Sequence, residues 1–128
     1  MKVTTLALVV PGHDEAIAFF VGGLGFALLE DVDQGTKRWV RVAPPGGGVA
    51  LLLARAEGPR QSGAIGDQAG GRVFLFLETD DFNRDAARIT SAGGTFEEVP
   101  RDEPYGRVAV WRDPFGNRWD LIQPAHQP

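Results

Sequence analysis

Two stretches of the chain show the same order of apolar patterns, and each predicts a β-strand, a helix and three further strands. In the first half, an apolar run rich in β-branched residues ends at Pro11-Gly12. Apolar residues then recur at three- and four-residue steps, as on one face of a helix. Short apolar runs between glycine- and proline-rich turns follow as strands. The predicted elements are strands at 3–10, 26–32, 37–43 and 49–54 and a helix at 14–21.

The second half repeats this pattern after a segment that lacks periodicity. Residues 55–71 carry several glycines and Pro59, a composition typical of a linker. Asp80-Asp81 offers an N-cap to a helix that ends at Gly93-Gly94. Strands are predicted at 72–78, 95–99, 107–112 and 117–123.

The two halves superpose at an offset of about 69 residues, which indicates duplication of one supersecondary unit. The predicted fold class is α+β, with two tandem βαβββ modules forming a curved mixed sheet around a concave pocket. We expect a single domain over residues 1–128, with modules at about 1–54 and 72–124 joined by the linker.

Composition excludes several classes of function. The chain of 128 residues has no cysteine, which rules out thiolate catalysis and cysteine-ligated metal clusters. Its net charge is −4 and its basic residues are dispersed, so nucleic acid is not an expected partner. No apolar run approaches the ~18 residues of a membrane span or resembles a signal peptide. We therefore expect a soluble, cytoplasmic protein with no membrane partner.

The turn Asp113-Pro114-Phe115-Gly116-Asn117 precedes a predicted strand whose fourth residue is Asp120, and three shorter segments accompany this motif. Together these motifs resemble the vicinal oxygen chelate superfamily, which includes glyoxalases, extradiol dioxygenases and bleomycin-binding proteins. The resemblance covers nearly the whole chain. The most specific motif is an Asp-Pro-x-Gly-Asn turn before a strand whose fourth residue is acidic. The segments that carry the resemblance are Ile17-Ala18-Phe19-Phe20, Leu24-Gly25-Phe26, Glu78-Thr79-Asp80-Asp81 and Arg112-Asp113-Pro114-Phe115-Gly116-Asn117-Arg118-Trp119-Asp120-Leu121.

The resemblance implies four metal-ligand positions, which here hold Thr5, Leu51, Phe74 and Asp120. Only the aspartate is a strong ligand for a divalent transition metal. Neither histidine lies on these strands, since His13 falls at the start of a helix, as an expected surface residue, and His126 in the expected disordered C-terminal tail. We therefore predict no metal at the family site and no cofactor.

Strand alternation predicts which side chains line the pocket. Side chains on the other face of these strands, Trp119 among them, are expected to pack beneath the helices. Asp120 needs a donor if it is buried, and either Arg118 or Arg41 is expected to supply a salt bridge. Alternatively, Asp120 binds a donor group of a ligand or acts as a general base. The predicted ligand-binding residues are Thr5, Ala7, Trp39, Arg41, Leu51, Phe74, Phe76, Tyr105, Trp111, Arg118 and Asp120.

These residues favour a metal-independent protein that binds and sequesters a small apolar or aromatic molecule, such as an antibiotic, as bleomycin-binding proteins do. The resemblance also implies a homodimer. One alternative is a glyoxalase-like lyase or isomerase with Asp120 as its catalytic residue and an atypical metal site. Another is a purely associative domain whose pocket has no ligand.

Overall fold

A computed structural model describes residues 1–125, and the chain in it separates into two compact units. The first spans Met1–Ile65 and the second begins at Gly66. The predicted position of His126 lies outside the described residues. No helix in residues 1–125 is long and apolar enough to cross a membrane.

The first unit contains a four-stranded mixed sheet with the strand order β1-β4-β3-β2. Strands β1 and β4 pair in parallel, and the other neighbours are antiparallel. A π-helical segment, Ala18–Gly23, directly continues the first helix. The elements are β1 (Thr5–Val10), α1 (His13–Ile17), β2 (Ala27–Asp33), β3 (Arg38–Ala43), β4 (Ala50–Arg55) and α2 (Gly58–Ala64).

One face of this sheet is buried. Helix α1 has acidic residues in its first turn, which suits the positive end of the helix dipole. Phe20 of the π-helical segment packs against Phe19 and Phe26, with ring centroids 5.0 and 5.5 Å apart. The other face, which carries Ala7 and Trp39, is partly open. The buried strand residues of the first face are Leu8, Val10, Val40, Val42, Leu51 and Leu53.

The second unit contains a five-stranded mixed sheet in which β5, β9, β8 and β6 are neighbours in that order and β7 also pairs with β8. The Asp81 side chain accepts a hydrogen bond from the Arg84 backbone N–H, 3.1 Å away, and so caps α3 as predicted. Gly93 adopts φ +105° just after this helix. The elements are β5 (Leu75–Glu78), α3 (Phe82–Ser91), β6 (Thr95–Phe96), β7 (Arg101–Glu103), β8 (Gly106–Arg112) and β9 (Arg118–Pro124).

The α+β class and the tandem modules are confirmed, and the strands form two sheets, one per unit. Two local predictions are wrong. The segment 55–71 contains α2, which Pro59 supports near its first position because proline has no N–H to leave unpaired there. The predicted strand at 95–99 ends at Phe96, shortly before Pro100, and β7 forms separately.

Strand register assigns each side chain to a face. Leu6 pairs with Leu51, whereas Ala7 pairs with Leu52. Leu51 therefore lies on the buried face with 3% exposure, and its expected orientation toward an open pocket is wrong. Arg41 also pairs with Leu52, so the open face takes Leu52 instead.

Trp111 is also on the buried side of its sheet. It pairs with Trp119 across β8 and β9, and the two rings stack with centroids 5.0 Å apart. Trp111 is fully buried, so the expectation that it lines a cavity is wrong, while Trp119 packs in the core as expected. The cause is the register, because directly opposed residues of antiparallel strands share a face.

Candidate functional site

The open face of the first sheet groups four predicted site residues. These residues are Thr5, Ala7, Trp39 and Arg41. Ala7 and Arg41 each pair with Leu52 of β4, and alternation places Thr5 and Trp39, two positions away, on the same face. Trp39 keeps 37% of its surface exposed. We call this surface the tryptophan face.

A carboxylate that the sequence analysis did not select connects these residues. Glu30 accepts from Arg41 Nε at 2.6 Å and from Trp39 Nε1 at 3.1 Å, each bond using a different carboxylate oxygen. Arg41 Nη1 donates to Thr5 Oγ1 at 3.0 Å. The indole and the guanidinium are thus both held by side-chain hydrogen bonds.

The open face of the second sheet carries four more predicted site residues: Phe74, Phe76, Arg118 and Asp120. Phe76 pairs with Asp120 in the parallel register of β5 and β9. The Phe74 backbone N–H donates to the Arg118 carbonyl, which continues the pairing beyond β5. Phe76 is 69% exposed although it lies on a strand. We call this surface the phenylalanine face.

Asp120 has an unusual environment on the phenylalanine face. Its Oδ1 atom is shielded from water, and it has no hydrogen-bond partner among residues 1–125. Burial raises the pKa of the Asp120 carboxyl above its ordinary value; the positive charge of Arg101 opposes this effect and the negative charge of Glu98 adds to it.

The two arginines expected to pair with Asp120 bind elsewhere. Arg118 donates to Glu97 at 2.8 and 3.1 Å and to the Gly71 carbonyl at 2.9 Å. Arg41 binds Glu30 instead. The predicted salt bridge is therefore absent among the described residues, and neither arginine neutralises the Asp120 carboxylate.

A shallow depression of about 510 Å³ lies beside Phe76. Arg118 forms part of its wall, so two predicted site residues meet there. Its lining residues are Gly71, Arg72, Val73, Phe76 and Arg118.

Tyr105 lies in the turn between β7 and β8 and is 57% exposed. After the larger effect of Glu98, Tyr105 is one of the groups that raise the pKa of Arg101, and the charge of Arg101 acts on Asp120. Arg101 also binds Glu98 and Glu103, each at 2.8 Å. Tyr105 is therefore linked to the phenylalanine face through Arg101.

The model of the Glyoxalase/Bleomycin resistance protein/Dioxygenase superfamily matches residues 2–121. The chain belongs to this superfamily. A protein of uncharacterised function from Shewanella frigidimarina is 55% identical over 125 residues, which cover 95% of this chain and 93% of the relative.

Solved structures of two similar proteins share the fold. The crystal structure of UcmS2 has a TM-score of 0.81 and 27% identity, covering 95% of this chain and 97% of that one. TnmS3, described as an antibiotic binding protein from Streptomyces sp. CB03234, has a TM-score of 0.77 and 33% identity, covering 98% and 97% of the two chains.

The residues at the superfamily's metal positions do not fit a transition metal. The resemblance puts Leu51 at one of these positions, and the strand register moves that position to Leu52; neither leucine can bind a metal. Thr5 and Phe74 also supply no carboxylate or imidazole, which leaves Asp120 as one strong ligand, short of the three that open metal sites use. No cluster of three or more histidine, aspartate or glutamate side chains suited to a metal occurs within residues 1–125. His13 opens α1 and is half-buried.

Proposed function

We propose that this superfamily member is a metal-independent protein that binds and sequesters a planar aromatic small molecule carrying a hydrogen-bond donor or a positive charge. We further propose that the protein acts as a homodimer in the cytoplasm. An antibiotic is the ligand class that we favour.

One observation carries the proposal: the exposed Phe76 pairs in the strand register with Asp120, whose partly buried carboxylate has no hydrogen bond at Oδ1 among residues 1–125. An aromatic ligand that stacks on Phe76 removes apolar surface from water and gains ~0.5–1.5 kcal/mol from ring contact. A donor group or a positive charge on the same ligand interacts with the Asp120 carboxylate, whose charge is partly desolvated.

The description of TnmS3 supports the antibiotic class, since that protein is similar to this chain over nearly its full length.

The two open faces also fit the binding of an aromatic ligand. Each presents an exposed aromatic side chain, Trp39 or Phe76, beside groups that form hydrogen bonds. Ligand sites commonly combine an apolar wall with a few polar groups that fix orientation.

The test uses two planar probes that differ in one charge. Daunorubicin carries a protonated amine, and N-acetyldaunorubicin carries a neutral amide in its place. We expect the protein to bind daunorubicin more tightly, and Asp120→Asn to abolish that preference. Phe76→Ala should weaken both probes by roughly tenfold, which corresponds to ~1.4 kcal/mol of lost contact.

Val99→Ala is the matched control, because Val99 is 82% exposed in the same unit but lies in the segment between β6 and β7. It should leave both affinities unchanged. If Phe76→Ala and Val99→Ala both bind each probe as tightly as the wild-type protein does, the proposed site is refuted. Absence of binding by planar aromatics of either charge would refute the function.

Asp120 also supports a second candidate, a glyoxalase-like lyase or isomerase. Burial raises the pKa of its carboxyl, and a carboxylate of higher pKa is a stronger general base. The discriminating measurement is elemental analysis of the purified protein. A stoichiometric transition metal would favour the enzyme, whereas metal-free protein that still binds the probes supports the binding function.

A further inference from the structure

The tryptophan face contains an ion pair whose charges face a surface suited to ligand contact. We propose that Glu30 determines ligand specificity there: it neutralises Arg41 and fixes Trp39, so that the face rejects anionic aromatic molecules and accepts those that carry no negative charge. This inference rests on the proposed ligand-binding function and adds the charge class of the ligand and a residue that selects it.

A β-bulge places Glu30 on this face. Leu28 pairs with Val42, and the next paired residues are Glu30 and Arg41, so Leu29 is an extra residue in β2. In a regular ladder without the bulge, Leu29 would pair with Arg41 and Glu30 with Val40, which would place Glu30 on the buried face. Bulges re-aim side chains and occur frequently next to functional sites. Here the bulge turns Glu30 toward Arg41 and Trp39.

The hydrogen bonds show what Glu30 does to Arg41. The carboxylate receives Arg41 Nε at 2.6 Å and also forms an ion pair with Nη2. The Arg41 side chain is 24% exposed and that of Glu30 is 39% exposed. Because the compensating charge is in direct contact, an anionic ligand that approaches Arg41 meets a neutral pair with a carboxylate on its surface.

Glu30 also fixes the aromatic side chain that a ligand would contact. The Trp39 Nε1–H donates to its second oxygen at 3.1 Å, which orients the indole plane. Trp39 is the exposed member of the three tryptophans, since Trp111 and Trp119 are 0% and 3% exposed. A ligand on this face will therefore shield Trp39 selectively from a soluble quencher.

Asp31 provides a control matched in position and charge. It is the next residue of β2 and pairs with Val40, so it lies on the opposite face of the sheet. There it receives Arg38 through two bonds of 2.8 Å. Asp31→Asn and Glu30→Gln thus remove the same charge from one strand, but on different faces. Arg38 keeps its ion pair with Asp14 when Asp31 is neutralised, so the Asp31 variant controls for the loss of a β2 carboxylate away from the tryptophan face.

The experiment compares two probes that share an aromatic skeleton. N-phenyl-1-naphthylamine is neutral, and 1-anilinonaphthalene-8-sulfonate carries one negative charge. Both are titrated against the wild-type protein and the two variants. Protection of Trp39 from acrylamide quenching reports which probe occupies the tryptophan face.

We expect the wild-type protein to prefer the neutral probe. Glu30→Gln should shift the affinity ratio toward the sulfonate by roughly tenfold, the scale of one uncompensated charge contact near a protein surface. Asp31→Asn should leave the ratio nearly unchanged. Glu30→Asp, which keeps the charge, should restore most of the wild-type preference.

Equal ratios in Glu30→Gln and Asp31→Asn would overturn the role of Glu30. If the wild-type protein binds the neutral probe and protects Trp39 while the ratio stays constant, only this inference fails. If neither probe binds, the proposed function fails with it. Should Glu30→Gln not fold, Arg41→Gln tests the same point, because the uncompensated Glu30 must then weaken sulfonate binding further.

Discussion

The turn before β9 depends on one buried carboxylate, and Asp113→Asn is the sharpest test of its contribution. Asp113 is 4% exposed. Its Oδ1 accepts from the backbone N–H groups of Phe115 and Asn117 at 2.9 Å each. Its Oδ2 accepts from Asn117 Nδ2 at 2.9 Å and from Trp119 Nε1 at 3.0 Å.

An asparagine at this position keeps the Oδ1 contacts and places an NH₂ group where Oδ2 was. The Asn117 amide and the Trp119 indole then face a donor in place of an acceptor. Two lost hydrogen bonds to a charged group cost about 1.5–3 kcal/mol each. Burial raises the pKa of Asp113, so removing its charge relieves part of that cost. The net loss of unfolding free energy should be about 2–4 kcal/mol.

Urea unfolding followed by tryptophan fluorescence measures this loss, because Trp119 is itself one of the donors. Asp80→Asn is the control: it removes the same charge from a side chain that is 88% exposed and pairs with Arg84 at the surface. We expect little change in its unfolding midpoint. If Asp113→Asn were as stable as this control, the turn would not depend on the carboxylate.

Three further predictions concern the site and the core. Affinity for a cationic aromatic should fall on mild acidification, at a higher pH than for an ordinary aspartate, because burial raises the pKa of Asp120 and only the ionised form attracts a cation. Without ligand, Asp120→Asn should be at least as stable as the wild-type protein at neutral pH. Because folding raises the pKa of the Asp120 carboxyl, the free energy of unfolding of the wild-type protein falls as the pH rises from the pKa of the unfolded chain to that of the folded protein. Gly94→Ala should lower the melting temperature because its Cβ would lie 2.5 Å from Ile89 Cγ2, whereas Gly63→Ala, with open space in α2, should raise it slightly.

Each of these has an outcome that contradicts it. Affinity for a cation that stays constant down to the ordinary aspartate range would remove Asp120 from the contact. A clear loss of stability in Asp120→Asn would show that the carboxylate has a stabilising partner. Equal melting temperatures for the two glycine variants, measured by differential scanning calorimetry, would contradict the close packing around Gly94.

The sequence predicted the parts of the fold that local chemistry determines. Periodicity within each half predicted the order of strands and the helix after Asp81, because alternation, capping and turn residues act over a few positions. The 69-residue offset correctly aligned Ala7 with Phe76. For β4 the offset was wrong by one residue: it aligned Leu51 with Asp120. In the structure Leu52 pairs with Ala7 as Asp120 pairs with Phe76, so Leu52 is the equivalent residue.

The candidate site was therefore only partly predictable. Alternation along the strands predicted that Phe76 and Asp120 share a face, and it predicted the same for Trp39 and Arg41. It did not decide which face of the third strand in a module is open, as the buried Trp111 shows. Glu30 could not, since nothing in the local pattern of β2 marks the bulge that reverses its orientation.

The amino-acid sequence by itself determined the family, the tandem modules and the chemistry available at the vacated metal positions. Only the tertiary structure decided which side chains share a face and which arginine pairs with which carboxylate. The physical reason is that strand register follows from hydrogen bonds between segments distant in sequence. A shift of one residue exchanges the buried and open faces, as it did for Leu51 and Leu52.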